Sequence, residues 1–360
     1  MLIYVLLFLL LVFFSASEQY FKFSRFPEFR WLVFFILLLF VTARPPGGDK
    51  DYVSYLLSFS TFQDPLDYFR NYSQWIYFDP MYYLIPSFFK TYVTQSHYAL
   101  ITFFIYALLA LGLKFTAISR MSEFFFLSLV VYFSNYLLLH EMTQIRIGAA
   151  SAIFLFAIPY LQQKKYGHYV GMVLLTMLFH YSSVLYFLPL LLRPDTFNKK
   201  LYYGALIFIL ILVIVPTDFI MPLLRIDTGD VSFKSNNYLE YAELGVTQQA
   251  NKLNPGFLMS YLLVIVQVFF IDQLQQHNAY ARILVKLQIL ALILFQFFAP
   301  IPGFAFRFSE IFLCTQIITT PFLVYLFRNR WLGYGIVVLI AVGYLWLNLF
   351  YGKLMLDYFK

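Results

Sequence analysis

Eleven apolar runs separated by short polar links leave this chain one kind of solvent. They fall near 2–14, 29–42, 97–113, 124–139, 145–161, 168–192, 201–219, 257–271, 283–299, 308–327 and 332–350. A bilayer crossing takes about 20 apolar residues, fewer with tilt or flanking aromatics. Charged residues make up 12% of the 360, and 61% are hydrophobic; a soluble domain carries about 25% charge. One aqueous core could not hide so much apolar surface, so lipid must take the rest. The expectation is an all-α polytopic transmembrane helical bundle with about 10–12 spans. Residues 1–360 form a single integral membrane domain, with long outer loops near 43–96 and 217–256. The runs at 2–14, 29–42 and 257–271 are short, so their ends are the least defined. Met1 to Phe14 lacks a basic leader and a small-residue cleavage pattern, so it reads as a retained first helix.

Lys and Arg in the short links set the orientation. One face takes Lys22, Arg25, Arg30, Lys114, Arg120, Lys164, Lys165, Arg193, Lys199, Lys200, Arg282, Lys286, Arg328 and Arg330. That face is expected to be cytoplasmic. The rest, including Arg44, Arg146 and Arg307, fall outside. This assignment needs 168–192 to enter and leave by one face. His180-Tyr181-Ser182-Ser183 interrupts the run and Pro189 follows, so two half-helices can meet at a polar turn, tolerated where the turn is buried in protein or lines a cavity. The alternative is one continuous span, which would invert everything after it.

Within the first outer loop, Tyr52, Tyr55, Leu56 and Phe59 follow helical spacing, which predicts an amphipathic interfacial helix over 51–62. A second aromatic stretch, Met81 to Phe89, is expected to be broken by Pro86. The second outer loop carries Asp227, Asp230, Lys234, Asn236, Asn237, Glu240 and Glu243.

Some chemistries are excluded or weak. Basic residues are scattered, with no basic stripe or aromatic RNA motif, so the formal charge of +7 does not point to nucleic acid. The five histidines have no ligand spacing, and there is no HExxH or CxxC. No Walker loop or GxSxG is present, and no cofactor is expected. The single cysteine, Cys314, lies inside an apolar run and excludes a disulfide within the chain.

Four polar groups are expected to meet at the outer face. Arg44-Pro45-Pro46-Gly47-Gly48-Asp49-Lys50-Asp51 reads as a tight turn that brings both signs of charge to the bilayer, or as a solvated loop. His140-Glu141-Met142-Thr143-Gln144-Ile145-Arg146 is a polar knot between two apolar runs, followed by small residues from Gly148 to Ala152 that permit close packing. Its bland reading is an ion pair between Arg146 and Glu141. His180 marks the break in 168–192; a satisfied core histidine is the bland reading. Arg307 and Glu310 lie one helical turn apart and begin a span, or form a local ion pair. Charge inside a bilayer costs about 2.5–3.5 kcal/mol at mid-depth on insertion scales, so it is normally kept for a purpose. A guanidinium binds phosphate oxygens in a bidentate way and keeps its charge. Three arginines at one depth would make a pyrophosphate clamp.

At these residues the chain resembles the EpsG family, the exopolysaccharide and O-antigen polymerases of Wzy type. The family pattern has an arginine after an early span, then an aspartate with a tyrosine four residues later. Here these are Arg44, Asp51 and Tyr55, with Asp49 a competing match. A glutamine-arginine pair before small residues matches Gln144-Ile145-Arg146-Ile147-Gly148-Ala149-Ala150. A basic turn and an apolar helix ending in Phe-His-x-Ser match Lys164-Lys165 and Phe179-His180-Tyr181-Ser182-Ser183. A late outward arginine matches Arg307. The resemblance is clearest over about residues 40–200. It implies a GT-C-type glycosyltransferase in a bacterial inner membrane, with its active site towards the periplasm. The implied substrates are undecaprenyl-pyrophosphate-linked oligosaccharide repeats; membrane lipid and a chain-length regulator are the other partners expected.

On this reading Arg146 and Arg307, then Arg44, stabilise the departing pyrophosphate. His180, Asp51 and Glu141 are the candidate bases for the acceptor hydroxyl. Asp49, Gln144, Glu310 and Tyr55 support them. Two competitors stand beside the polymerase: a lipid-linked-oligosaccharide flippase, which usually shows two similar halves, and an O-antigen ligase. A structural scaffold would not need Arg146, His180 and Arg307.

Overall fold

A computed structural model describes residues 1–21, 27–216, 220 and 249–355. The described residues form helices and no strand, as the apolar pattern predicts. The charged residues expected in the second outer loop, Asp227 to Glu243, lie outside the described residues. The chain divides into two compact units, residues 1–191 with 316–360, and 192–315.

The first unit begins with α1 (Leu2–Phe21) and α2 (Pro27–Thr42). α3 (Tyr52–Thr61) and α4 (Pro80–Tyr92) follow in the region expected to be an outer loop. Then come α5 (Tyr98–Met121), α6 (Phe125–Thr143) and α7 (Ile145–Gln162). α8 (Tyr166–Phe179) leads through His180 into a 3-10 helix, Tyr181–Leu191. The second unit holds α9 (Lys199–Ile214), α10 (Pro255–Phe269), α11 (Ile271–His277), α12 (Ala281–Phe297) and α13 (Pro302–Leu313). α10 and α11 meet at a 78° bend. The chain returns to the first unit with α14 (Gln316–Leu326) and α15 (Arg330–Tyr351).

Five described helices are long and apolar enough to cross a membrane, or seven if each bent pair is one span. That is fewer than the number of apolar runs. The runs at 29–42, 201–219 and 283–299 became helices of 16, 16 and 17 residues, and 168–192 was split at its polar turn.

That split is a true reversal. Joined end to end, α8 and the 3-10 helix would hold Tyr169 and Tyr186 roughly 28 Å apart, given about 1.5 and 2.0 Å rise per residue. Instead the Tyr169 hydroxyl donates to the Tyr186 carbonyl at 2.7 Å. The chain doubles back at His180, whose backbone is extended between the two helices. The face of the 3-10 helix is fixed by Tyr186, which stacks on Phe154 of α7 at 3.9 Å.

The 43–96 region is a packed cap. α3 forms with the predicted spacing, but its face of Tyr52, Tyr55 and Phe59 packs into a protein core, with Leu56 only partly buried, where an interfacial helix was expected. It joins Phe62, Tyr68, Tyr82, Tyr83 and Phe103 in one aromatic core, with centroid spacings such as 4.6 Å for Phe62–Tyr83 in the range where edge and tilted contacts are favourable. α4 corrects the expectation of a break at Pro86, since one helix runs through it. A proline inside a helix costs a hydrogen bond, and Pro86 is buried here along with Tyr82, Tyr83 and Ser87.

Two lysines also need correcting. Lys114 and Lys286 were assigned to cytoplasmic links, yet both are buried inside helices, α5 and α12. The apolar rings around them continue the helical pattern past the charge. Lys286 is satisfied locally: its ammonium donates to the carbonyls of Arg193 and Thr196.

From Tyr132 to Thr143, α6 is wound as a π-helix. Its end abuts the small residues opening α7. A Cβ on Gly148 would lie 2.5 Å from the His140 carbonyl oxygen. Gly148→Ala is therefore expected to force the two segments apart at a cost of about 1–3 kcal/mol. Thermal unfolding of the purified protein in detergent reads this directly; an unchanged midpoint would show that the close approach is not needed.

Candidate functional site

Two polar centres lie in the first unit, and sequence reading names only part of each. The first is built on Asp79, which precedes Pro80 at the start of α4. An aspartate there ordinarily caps its helix. Asp79 makes no such bond. Its Oδ1 accepts the backbone N–H of Tyr181 at 2.9 Å. Its Oδ2 takes Nη1 of Arg146 at 2.7 Å and lies 3.5 Å from Nδ1 of His180. The last distance is long for a hydrogen bond but close enough for charge to act. Asp79 thus ties the opening of α7 to the reversal at His180.

Burial raises the Asp79 carboxyl, but His180, Arg146 and the Tyr181 N–H outweigh it and hold the group below its ordinary 3.8. A lowered carboxylate contributes stability above its unfolded pKa and loses it as pH falls through the folded one. Unfolding midpoints should therefore drop as pH is taken from 5 to below 3.8. Asp79→Asn should flatten that slope; an equal slope in the variant would remove Asp79 as its source.

Arg146 is not sealed. Its side chain keeps 30% of its surface open, against 3% for Asp79 and 9% for His180. Its guanidinium lies over the Tyr82 ring, 4.6 Å from the centroid. One edge is held by Asp79, and the plane is fixed by Tyr82. The Arg146–Glu141 ion pair, the bland reading of the polar knot, does not form.

The ion-paired side chains of the second centre are fully buried. Pro45-Pro46-Gly47-Gly48 makes a tight turn in which the Gly48 N–H reaches the Pro45 carbonyl at 2.9 Å. Gly47 has φ +76°, which its position in a type II turn demands. The turn folds Asp49 back onto Arg44, Nε to Oδ2 at 3.0 Å, with both side chains wholly buried. Arg44 also donates to the Glu141 carbonyl at 3.0 Å and lies over Phe103 at 4.4 Å. Burial holds the Asp49 carboxyl above its ordinary value even though Arg44 draws it down. Asp51 is half-buried at the start of α3, and its N–H bonds Asp49 Oδ1.

The Glu141 side chain points elsewhere. It pairs with Lys114 of α5, both side chains at 0% exposure. The winding at the end of α6 leaves its last carbonyls outside the ladder. Arg44 takes that of Glu141, and Tyr55 takes that of Thr143 at 2.9 Å. Tyr55 is the link between centres, since Arg146 and Arg44 both act on its phenol. Gln144 opens α7 between them.

Of the residues singled out from sequence, Arg146 and His180 meet on one carboxylate, and Arg44, Asp49, Tyr55 and Glu141 meet at the end of α6. Arg307 and Glu310 lie in α13, in the second unit. Asp79 and Lys114 were missed. Asp79-Pro80 reads as a helix start, and its partners are 67 and 101 residues away. Lys114 reads as a link charge; the apolar Phe115, Ala117 and Ile118 beyond it were the available signal. Among the described residues no group of three or more His, Cys, Asp or Glu is placed to hold a metal ion.

No curated protein and no solved structure matches the chain. A family model does, over residues 29–359, which includes both polar centres and nearly the whole length. The chain is a multi-pass membrane protein that belongs to the EpsG family, whose function is of the polysaccharide-polymerase type.

Proposed function

We propose that this protein joins undecaprenyl-pyrophosphate-linked oligosaccharide repeats into longer chains at the periplasmic face of a bacterial inner membrane, as a GT-C-type glycosyltransferase. The observation that carries this is the half-open Arg146 beside Asp79 and His180 at the chain reversal. A cation that offers free donors to a ligand, next to an imidazole steered by a carboxylate, suits transfer from a phosphorylated sugar.

The chemistry runs in one displacement. The acceptor hydroxyl oxygen attacks the anomeric carbon as the bond from that carbon to the pyrophosphate oxygen breaks. The pyrophosphate departs on its lipid, and Arg146 stabilises the charge it gains. The hydroxyl proton passes to His180, with Asp79 orienting the ring and stabilising the imidazolium. Arg44, sealed by Asp49, acts as a positioning residue that holds the end of α6. Asp51 and Glu141 become weaker candidates for the base, Glu141 because Lys114 occupies it.

Deleting the gene and examining the surface polysaccharide tests the reading. A single repeat on lipid A is the expected result. Long polymer retained on undecaprenol would instead identify a ligase, and repeats trapped at the cytoplasmic leaflet a flippase.

A further inference from the structure

Next to His180, an aromatic patch is left that the displacement does not use. We infer that Tyr181 and Tyr72, backed by Tyr68, form a platform for a hexose ring of the acceptor repeat. This rests on the polymerase reading and deepens it.

Tyr181 follows His180 in the chain, and Asp79 grips its backbone N–H, so its ring is set beside the proposed base. The ring stays 38% exposed and that of Tyr72 48%, while Tyr68 beneath them is 3% exposed. Tyr68 meets Tyr72 edge to face at 5.9 Å. Exposed aromatic faces carry negative charge density that attracts the C–H face of a sugar ring.

The hydroxyls add direction. Tyr68 and Tyr181 both donate to the Phe78 carbonyl, at 3.2 and 3.1 Å. A carbonyl oxygen has two lone pairs, so it can hold both. The two phenol oxygens lie 3.3 Å apart and either can donate to the other, so a phenol oxygen keeps a lone pair that can accept from a sugar hydroxyl.

The test uses membranes carrying the full-length protein, with preformed chain on its lipid as donor and added lipid-linked single repeat as the varied acceptor. Tyr181→Ala should raise KM for the single repeat about tenfold, the loss expected when one aromatic contact to the acceptor ring is removed. Tyr72→Ala, which touches neither His180 nor Asp79, should raise it by a smaller factor. Tyr181→Trp should recover most of the loss, because it restores a face. Unchanged KM in both alanine variants overturns the platform. That result leaves the polymerase reading standing, because the gene deletion decides it separately.

Discussion

Arg146→Ala is expected to abolish long polysaccharide while leaving the protein in the membrane at its normal level. Removing a preset donor from a developing anion costs about 10²–10³ in turnover. Because 30% of the Arg146 side chain is open, its loss leaves no sealed cavity. Asp79 keeps the Tyr181 N–H and His180 as partners. Arg146→Lys should recover only part of the activity, since an ammonium supplies charge without the planar fork. The readout is chain length on gels beside an immunoblot of the membrane fraction. Wild-type chain length from Arg146→Ala would reject the role. Arg44→Ala supplies the contrast: its guanidinium is wholly buried and bonded to Asp49 and Glu141. That variant should fall in membrane abundance as well as in activity.

The second large effect concerns Lys114 and Glu141. Lys114→Met strands a carboxylate with no exposed surface, and breaking one side of a buried pair costs about 3–5 kcal/mol. The variant should be lost from the membrane or unfold at much lower temperature in detergent. The double variant Lys114→Met with Glu141→Leu removes both charges, and such swaps are often neutral or stabilising. Recovery of the fold in the double variant, read as restored abundance and melting midpoint, is the expected outcome. If the double variant made normal polymer, Glu141 would be excluded as the base. A double variant as unstable as the single one would show that the pair, not merely charge balance, holds α5 to α6.

The Arg146–Asp79–His180 centre shows how far a sequence reading reaches. Arg146 was legible because Gln144 and Arg146 precede five small residues, and Gly148 does bring α7 against the His140 carbonyl. His180 was legible because a polar break in an apolar run must be buried or line a cavity. The turn at Gly47 was legible from glycine and proline alone. Local rules govern all three. The partners were not legible. Asp79 obeys the rule for a helix start, then spends its carboxylate on residues far along the chain. Lys114 looked like a link because charge normally ends a span, and only a carboxylate from the next helix allows it inside.

Composition and the spacing of apolar residues determined the solvent, the helical class and the amphipathic face of α3, because each depends on neighbours within a turn or two of the chain. Which cation meets which anion was decided by tertiary structure. An ion pair at 2.7 Å between residues 67 apart depends on how α4 and α7 approach, and nothing within either segment fixes that approach.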